Sequence, residues 1–315
     1  MKSKVAILCA GQGAQGVGMG RDLADAFPAC RELFSRANEV LGYDIVKIIL
    51  GGPEEELLKS NHCQPAIFTV TAACAAALQG QCAGFAPAAA AGLSLGEWTA
   101  LHLAGALSFE DGLRLLSARG RFMQEACEEN AGAMLSVIGL EAGKLAGLAA
   151  QCGVEVANYN SPEQTVLSGR KQNILEAEKK AKESGAKRAI LLNVAGAYHS
   201  SLMKSAADKL GGLLRDVRIN PPSFPVMSNV TGRPHGSPGE IRQSLVSQVT
   251  SPVKWIDCVM GLEGCGVECC IECGPGRVLS GLVKRIRPQM QLCSVQDCKS
   301  LESAAGLLTQ VLSKG

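Results

Sequence analysis

Apolar and polar positions fall in blocks along this chain. Residues 4–10 (KVAILCA) form a short, unbroken apolar run, the pattern of a strand buried in a parallel sheet. A glycine-rich loop follows, and residues 29–41 then space their apolar positions as a helix does. Residues 54–60 and 65–80 predict two more helices. The second is alanine-rich with little polar face, so it is expected in the interior. Pro87 to Ala91 predicts a strand, and Trp98 to Leu107 a helix. Ser108 with Asp111 reads as a capping box, with Asp in place of Glu, opening a helix to about Glu128.

The rhythm changes over residues 132–193. GAMLSVIGL is strand-like, EAGKLAGLAAQCG a short helix, VEVANYN and QTVLSG two strands, RKQNILEAEKKAKESG an exposed helix and AKRAILLN a last strand. That order is β-α-β-β-α-β, the split βαβ or ferredoxin-like plan. Beyond it, helix and strand alternate again. A helix is expected from Ala197 to about Val217 and a strand over Phe224 to Asn229. Helices follow over 238–249 and 253–264, a strand over 267–272, a helix over 276–286, a strand over 290–295 and a helix over 299–313. The fold class is therefore α/β. An α/β-hydrolase-like core with a parallel sheet, residues 1–129 and 196–315, carries an inserted ferredoxin-like subdomain, residues 130–195.

Composition narrows the classes of function. With 31 basic and 29 acidic residues the net charge is +2, without the basic excess of a nucleic-acid binder. No apolar run reaches the roughly 18 residues of a membrane span, and the start of the chain is too short in apolar residues for a signal peptide. A cytoplasmic protein is expected. The 14 cysteines sit mostly inside apolar patterns and read as reduced core residues. The cluster Cys265, Cys269, Cys270 and Cys273 reads as a buried strand better than as a zinc site, and no metal is expected.

The chemistry centres on Gly92-Leu93-Ser94-Leu95-Gly96-Glu97, between a predicted strand and a predicted helix. That context is the nucleophile elbow: a strained turn that lifts its serine above the sheet and needs small residues two before and two after it. The N–H of Leu95, at a helix start, points where an oxyanion would form. A serine nucleophile needs a base. Of His62, His102, His199 and His235, the chain order Ser…His favours His199, which opens a helix, since hydrolase-like sheets place the base late; His62 and His235 sit in polar loop contexts. No acid announces itself to orient it, so a backbone carbonyl or amide is the expected partner of its ring. The loop Gly11-Gln12-Gly13-Ala14-Gln15-Gly16 matches the dinucleotide pattern letter for letter. The second strand of a Rossmann unit is missing where it should follow. The other use of such a loop is to aim a backbone N–H at an oxyanion.

Taken together, AGQGAQGVGMG (10–20), GLSLGEWTAL (92–101), ARGRFMQEA (118–126), ANYNSP (157–162), GAYHSSLM (196–203), PVMSNVTG (225–232), SQVTSPVKW (247–255) and ECGPGRVLSGL (272–282) resemble the malonyl-CoA:acyl carrier protein transacylases. The resemblance implies Ser94 as nucleophile, His199 as base, the N–H groups of Gln12 and Leu95 as oxyanion hole and Arg119 as partner of the malonyl carboxylate. It implies Gln248 as the residue whose main-chain carbonyl orients the histidine, and Asn160 beside the cleft. Met123 and Val278 are expected along the pocket, and small neighbours of Arg119 such as Gly120 are expected to leave room for a ligand. It also implies malonyl-CoA and acyl carrier protein as partners, no cofactor, a monomer and a role in fatty-acid synthesis. Two alternatives stand beside it: an acyltransferase acting in trans for a polyketide synthase, and a nucleotide-dependent oxidoreductase using Gly11 to Gly16. One position departs from the family: Leu93 stands where a histidine is usual. Lys204, Lys284, Arg285 and Arg287 are the candidate contacts for an acidic carrier.

Overall fold

The computed structural model describes residues 4–313. Its strands are β1 (Val5–Cys9), β2 (Ala89–Gly92), β3 (Gly132–Ile138), β4 (Glu155–Ser161), β5 (Gln164–Arg170), β6 (Arg188–Leu191), β7 (Cys269–Cys273) and β8 (Gln291–Val295). They form two sheets. One is parallel, in the order β2-β1-β7-β8; the other is antiparallel, in the order β4-β5-β3-β6.

The parallel sheet is buried on both faces because helices cover each of them, and successive side chains of its strands point to opposite sides. Val5, Ile7 and Cys9 enter one core and Ala6 and Leu8 the other. The first core is covered by the helix Ser60–Gln81, which packs between Pro28–Leu41 and Phe109–Glu129. As its uninterrupted alanine-rich sequence predicts, that helix is buried along most of its length. The second core lies beneath the helices Trp255–Gly264 and Val278–Ile286. Ser108 caps the helix Phe109–Glu129, its hydroxyl accepting from the Asp111 N–H at 3.0 Å.

The antiparallel sheet has the split βαβ order, with the helices Ala142–Cys152 and Lys171–Glu183 on one face. Leu135, Val137, Leu145, Leu148, Leu167 and Ile174 fill the layer between. Met134 and Val166 point the other way, toward the first core. Asn158 of β4 bridges Val253, and Tyr159 donates its N–H to the Val253 carbonyl at 2.9 Å, which ties the antiparallel sheet to the segment leading into the helix Trp255–Gly264.

Two expected elements differ. Phe224 to Asn229 does not form a strand. β2 is only four residues long and turns away at Gly92, so there is one rung, Val226 beside Ala90. The chain then turns between Ser228 and Gly232, which carries Asn229 under β2. The segment after Ala197 is not helical from its start either. His199 has a positive φ of 57°, a short 3₁₀ turn spans Ser201–Met203, and the α-helix is Lys204–Leu214. No described helix is long and apolar enough to cross a membrane.

Candidate active site

β2 ends at Gly92 and the helix Leu95–Leu103 begins three residues later. Ser94 bridges them with φ 55° and ψ −107°, a conformation that costs a non-glycine residue about 1–3 kcal/mol. The glycines on either side are required by space. A Cβ on Gly92 would strike the Gly96 backbone, and one on Gly96 would strike the Cys9 carbonyl at the end of β1. A Cβ on Gly11 would lie 2.8 Å from the Leu93 carbonyl oxygen. The glycine loop after β1 is thus pressed against the elbow after β2. Among the described residues the next strand after this loop is β2, which begins only at Ala89, so no strand follows at the spacing of a dinucleotide-binding unit.

The Ser94 hydroxyl lies between two groups of opposite function. His199 Nε2 is 2.9 Å from Oγ, and Arg119 Nη2 donates to Oγ at 2.9 Å. His199 Nδ1 is 2.9 Å from the Gln248 main-chain carbonyl. A carbonyl only accepts, so Nδ1 carries the proton and Nε2 presents a lone pair to the serine. Burial, and secondarily the Arg119 charge, push the His199 pKa down to about 4. The ring is therefore neutral at ordinary pH and ready to take a proton.

Arg119 projects from the helix Phe109–Glu129 and is buried, with Nη1 donating to Gln64 Oε1 at 2.7 Å and Nη2 also reaching Gln248 Oε1 at 3.1 Å. Burial lowers its pKa to about 10, which leaves it charged at neutral pH. Among the described residues it forms no salt bridge, and its buried Nε–H has no acceptor. Gly120 beside it does not leave space for a ligand. It lets the helix approach Ser60, whose carbonyl a Cβ would strike.

The N–H groups of Gln12 and Leu95 donate to no acceptor among the described residues. The Gln12 side chain is held by Ser60 Oγ at 3.3 Å and Gln64 Nε2 at 3.4 Å, and Ser60 Oγ meets the Tyr198 hydroxyl at 3.0 Å. Gln12, Ser94, Tyr198 and His199 line a cleft of about 900 Å³. Met123, Leu93 and Val278 line it, as do Asn158 and Asn160 of β4, and the Asn160 Oδ1 has no partner. Of the four basic carrier candidates only Arg285 lines the cleft; Lys204 is paired with Asp208 and Arg287 with Glu263. Lys59 and Arg277, which the sequence did not single out, line it too.

A buried acid is present after all, one amide away from the histidine. Glu97 accepts from Gln248 Nε2 at 2.5 Å and lies 2.7 Å from His235 Nε2. The His235 side chain is only 1% exposed. The nearest signal in the sequence was Glu97 itself, on the buried side of the elbow helix. Its partners lie more than 130 residues away. His102 turns away from Ser94 and bonds the Leu107 carbonyl, and His62 bonds that of Glu56. Cys269, Cys270 and Cys273 lie in β7, and no metal-holding cluster forms among the described residues.

Comparison with known proteins agrees with this geometry. Residues 7–306 match the model of the acyl transferase domain. The chain is 40% identical over 309 residues to the malonyl CoA-acyl carrier protein transacylase of Escherichia coli (strain K12), covering 97% of this chain and all of that one. A solved acyl carrier protein S-malonyltransferase from Vibrio cholerae superposes with a TM-score of 0.92 at 40% identity, over 96% of this chain and all of that chain. A malonyl-transacylase solved in complex with a type II PKS acyl-carrier protein superposes with a TM-score of 0.93 at 40% identity, over 97% of this chain and all of that chain. Elbow, histidine and fold thus coincide with a match over almost the whole length: the chain belongs to the acyl transferase domain family.

Proposed function

We propose that this enzyme moves a malonyl group from malonyl-CoA to the phosphopantetheine thiol of an acyl carrier protein, through an ester on Ser94. One observation carries the choice of acyl group. A buried guanidinium with no carboxylate of its own stands 2.9 Å from the nucleophile. Malonyl brings the carboxylate that such a group binds through two parallel charge-assisted hydrogen bonds. Neutral acyl groups would leave the charge unpaired in a dry site.

The reaction has two matching halves. Ser94 Oγ attacks the thioester carbonyl while its proton passes to His199 Nε2. The N–H groups of Gln12 and Leu95 receive the developing oxyanion. Collapse breaks the carbon–sulfur bond, and the proton on His199 leaves with coenzyme A. The carrier thiol then gives its proton to His199 and attacks the Ser94 ester, and collapse returns the proton to Oγ. The Gln248 carbonyl stabilises the imidazolium formed in each half.

Intact-mass measurement tests this reading. Malonyl-CoA should add one malonyl group to the protein and none to Ser94→Ala. Label on the variant would reject the serine ester. The neighbour bound to a type II PKS carrier supports a second reading in which the acceptor serves polyketide synthesis. Transfer rates to a fatty-acid carrier and to a polyketide carrier, measured side by side, decide between them.

A further inference from the structure

Behind the elbow lies a set of buried polar groups that acyl transfer, as described, does not use. Asn229 arrives there from the turn that follows the single rung beside β2. Its carboxamide is fully buried. Oδ1 accepts the Ser94 N–H at 2.6 Å, and Nδ2 donates to the Gly92 carbonyl at 2.8 Å. Both partners are backbone groups with one role each, so the amide has a single orientation. The two contacts grip the two peptides on either side of Leu93, which lead into the nucleophile.

Asn229 is itself held. Its N–H donates to Glu97 Oε2 at 3.1 Å, the same oxygen that receives Gln248 Nε2. The other oxygen of Glu97 is 2.7 Å from His235 Nε2. Gln248 Nε2 also donates to the Ser94 carbonyl at 2.9 Å. Ser94 is therefore fixed at its N–H by Asn229 and at its carbonyl by Gln248, and Glu97 accepts from the main-chain N–H of Asn229 and the side-chain amide of Gln248.

We infer that Asn229, oriented by Glu97 and His235, is a positioning residue for acyl transfer: it holds the peptide before Ser94 so that the strained φ aims Oγ at His199 and leaves the Leu95 N–H facing the oxyanion. Asn229 touches neither substrate nor reacting atoms and acts through the Ser94 peptide. The inference rests on the acyl-transfer reading above. It extends it from the groups that meet the substrate to the group that keeps the elbow in its working shape.

The test separates rate from binding. Single-turnover acylation by malonyl-CoA and by acetyl-CoA is followed by intact mass in the wild type and in Asn229→Ala. Affinity for malonyl-CoA is measured by calorimetry in Ser94→Ala, with and without Asn229→Ala. Acylation should fall at least about fiftyfold with both acyl groups, with their ratio kept, because the oxyanion donor and the nucleophile are displaced together. The dissociation constant should change by less than about threefold. A part that merely supports folding would lower the folded fraction and leave the rate per folded molecule intact. Folded Asn229→Ala that acylates at the wild-type rate overturns the inference, and so does a loss that lies wholly in binding. If Asn229→Ala fails to fold by circular dichroism, Glu97→Gln carries the test. It should lose about tenfold in acylation with the same split, and a wild-type rate there overturns the inference equally. Wild-type protein that takes up no acyl group from either thioester refutes the acyl-transfer reading itself, and this inference with it.

Discussion

The two sides of Ser94 are built on opposite rules. On the cleft side, hydrogen-bonding capacity is left open: the N–H groups of Gln12 and Leu95 and the Nε–H of Arg119 have no acceptor among the described residues. On the far side, every polar atom of Glu97, Asn229 and Gln248 discussed above is bonded, and all three residues are fully buried. Unpaired buried donors are costly, so an open donor such as the Arg119 Nε–H is a place for an acceptor from outside the chain. The saturated side supplies the rigidity that keeps those donors aimed while nothing is bound.

That contrast can be broken one group at a time. His199→Ala removes the only base beside Oγ and should lower acylation by roughly two to four decades for every acyl group, read by single-turnover intact mass. Arg119→Ala should lower malonyl transfer at least about a hundredfold and leave acetyl transfer nearly unchanged, because only malonyl loses a partner. Lys at 119 should rescue in part, keeping the charge without the fork. An unchanged malonyl-to-acetyl ratio would place Arg119 among the far-side supports instead.

The pH dependence sharpens the comparison. The histidine pKa falls from 6.5 to about 4 in the folded protein. The base then stays neutral as pH drops through 6.5, so acylation between pH 8 and 5.5 should vary less than about twofold. It should fail only toward the folded pKa, where protonation blocks Nε2. The same depressed pKa means that the unfolded chain binds the proton more readily between 6.5 and about 4. Stability is gained above that window and lost as pH falls through it, which thermal melts over the same range would record. A rate profile breaking near 6.5 would contradict the burial that holds His199 neutral. The smallest effect lies at the mouth of the cleft. Arg285→Glu should raise the carrier KM about threefold to tenfold and spare loading from malonyl-CoA. Lys204→Glu, away from the cleft lining, should change neither.

The same division explains what the sequence could tell. Ser94, Arg119 and His199 stand in short, local patterns, and the elbow glycines state their steric need within five residues. The β-α-β-β-α-β order of the small sheet was legible because each element carries its own periodicity, in β3 and in the charged helix Lys171–Glu183 alike. The far side was not legible. Glu97 looks like any helical glutamate until the fold brings Asn229, His235 and Gln248 to it across more than 130 residues. Asn229 was hidden twice, since Phe224 to Asn229 reads as a strand and the structure uses it as one rung and a turn. Gly120 misled for a related reason: a small residue that makes room for a ligand and one that makes room for a neighbouring helix look the same in sequence.

The cleft has walls of separate origin. One is the end of the parallel sheet, where a Gly96 side chain would collide with Cys9 and a Gly11 side chain with Leu93. The other is the outward face of the antiparallel sheet, where Met134, Ile138, Asn160 and Val166 line the cavity. The first wall tolerates no added atom without moving the nucleophile. The second is built partly of core residues, since Met134 and Val166 also pack in the first core. The two walls therefore come from separate stretches of chain: the elbow and glycine loop follow β2 and β1, and the facing wall belongs to β3 to β5.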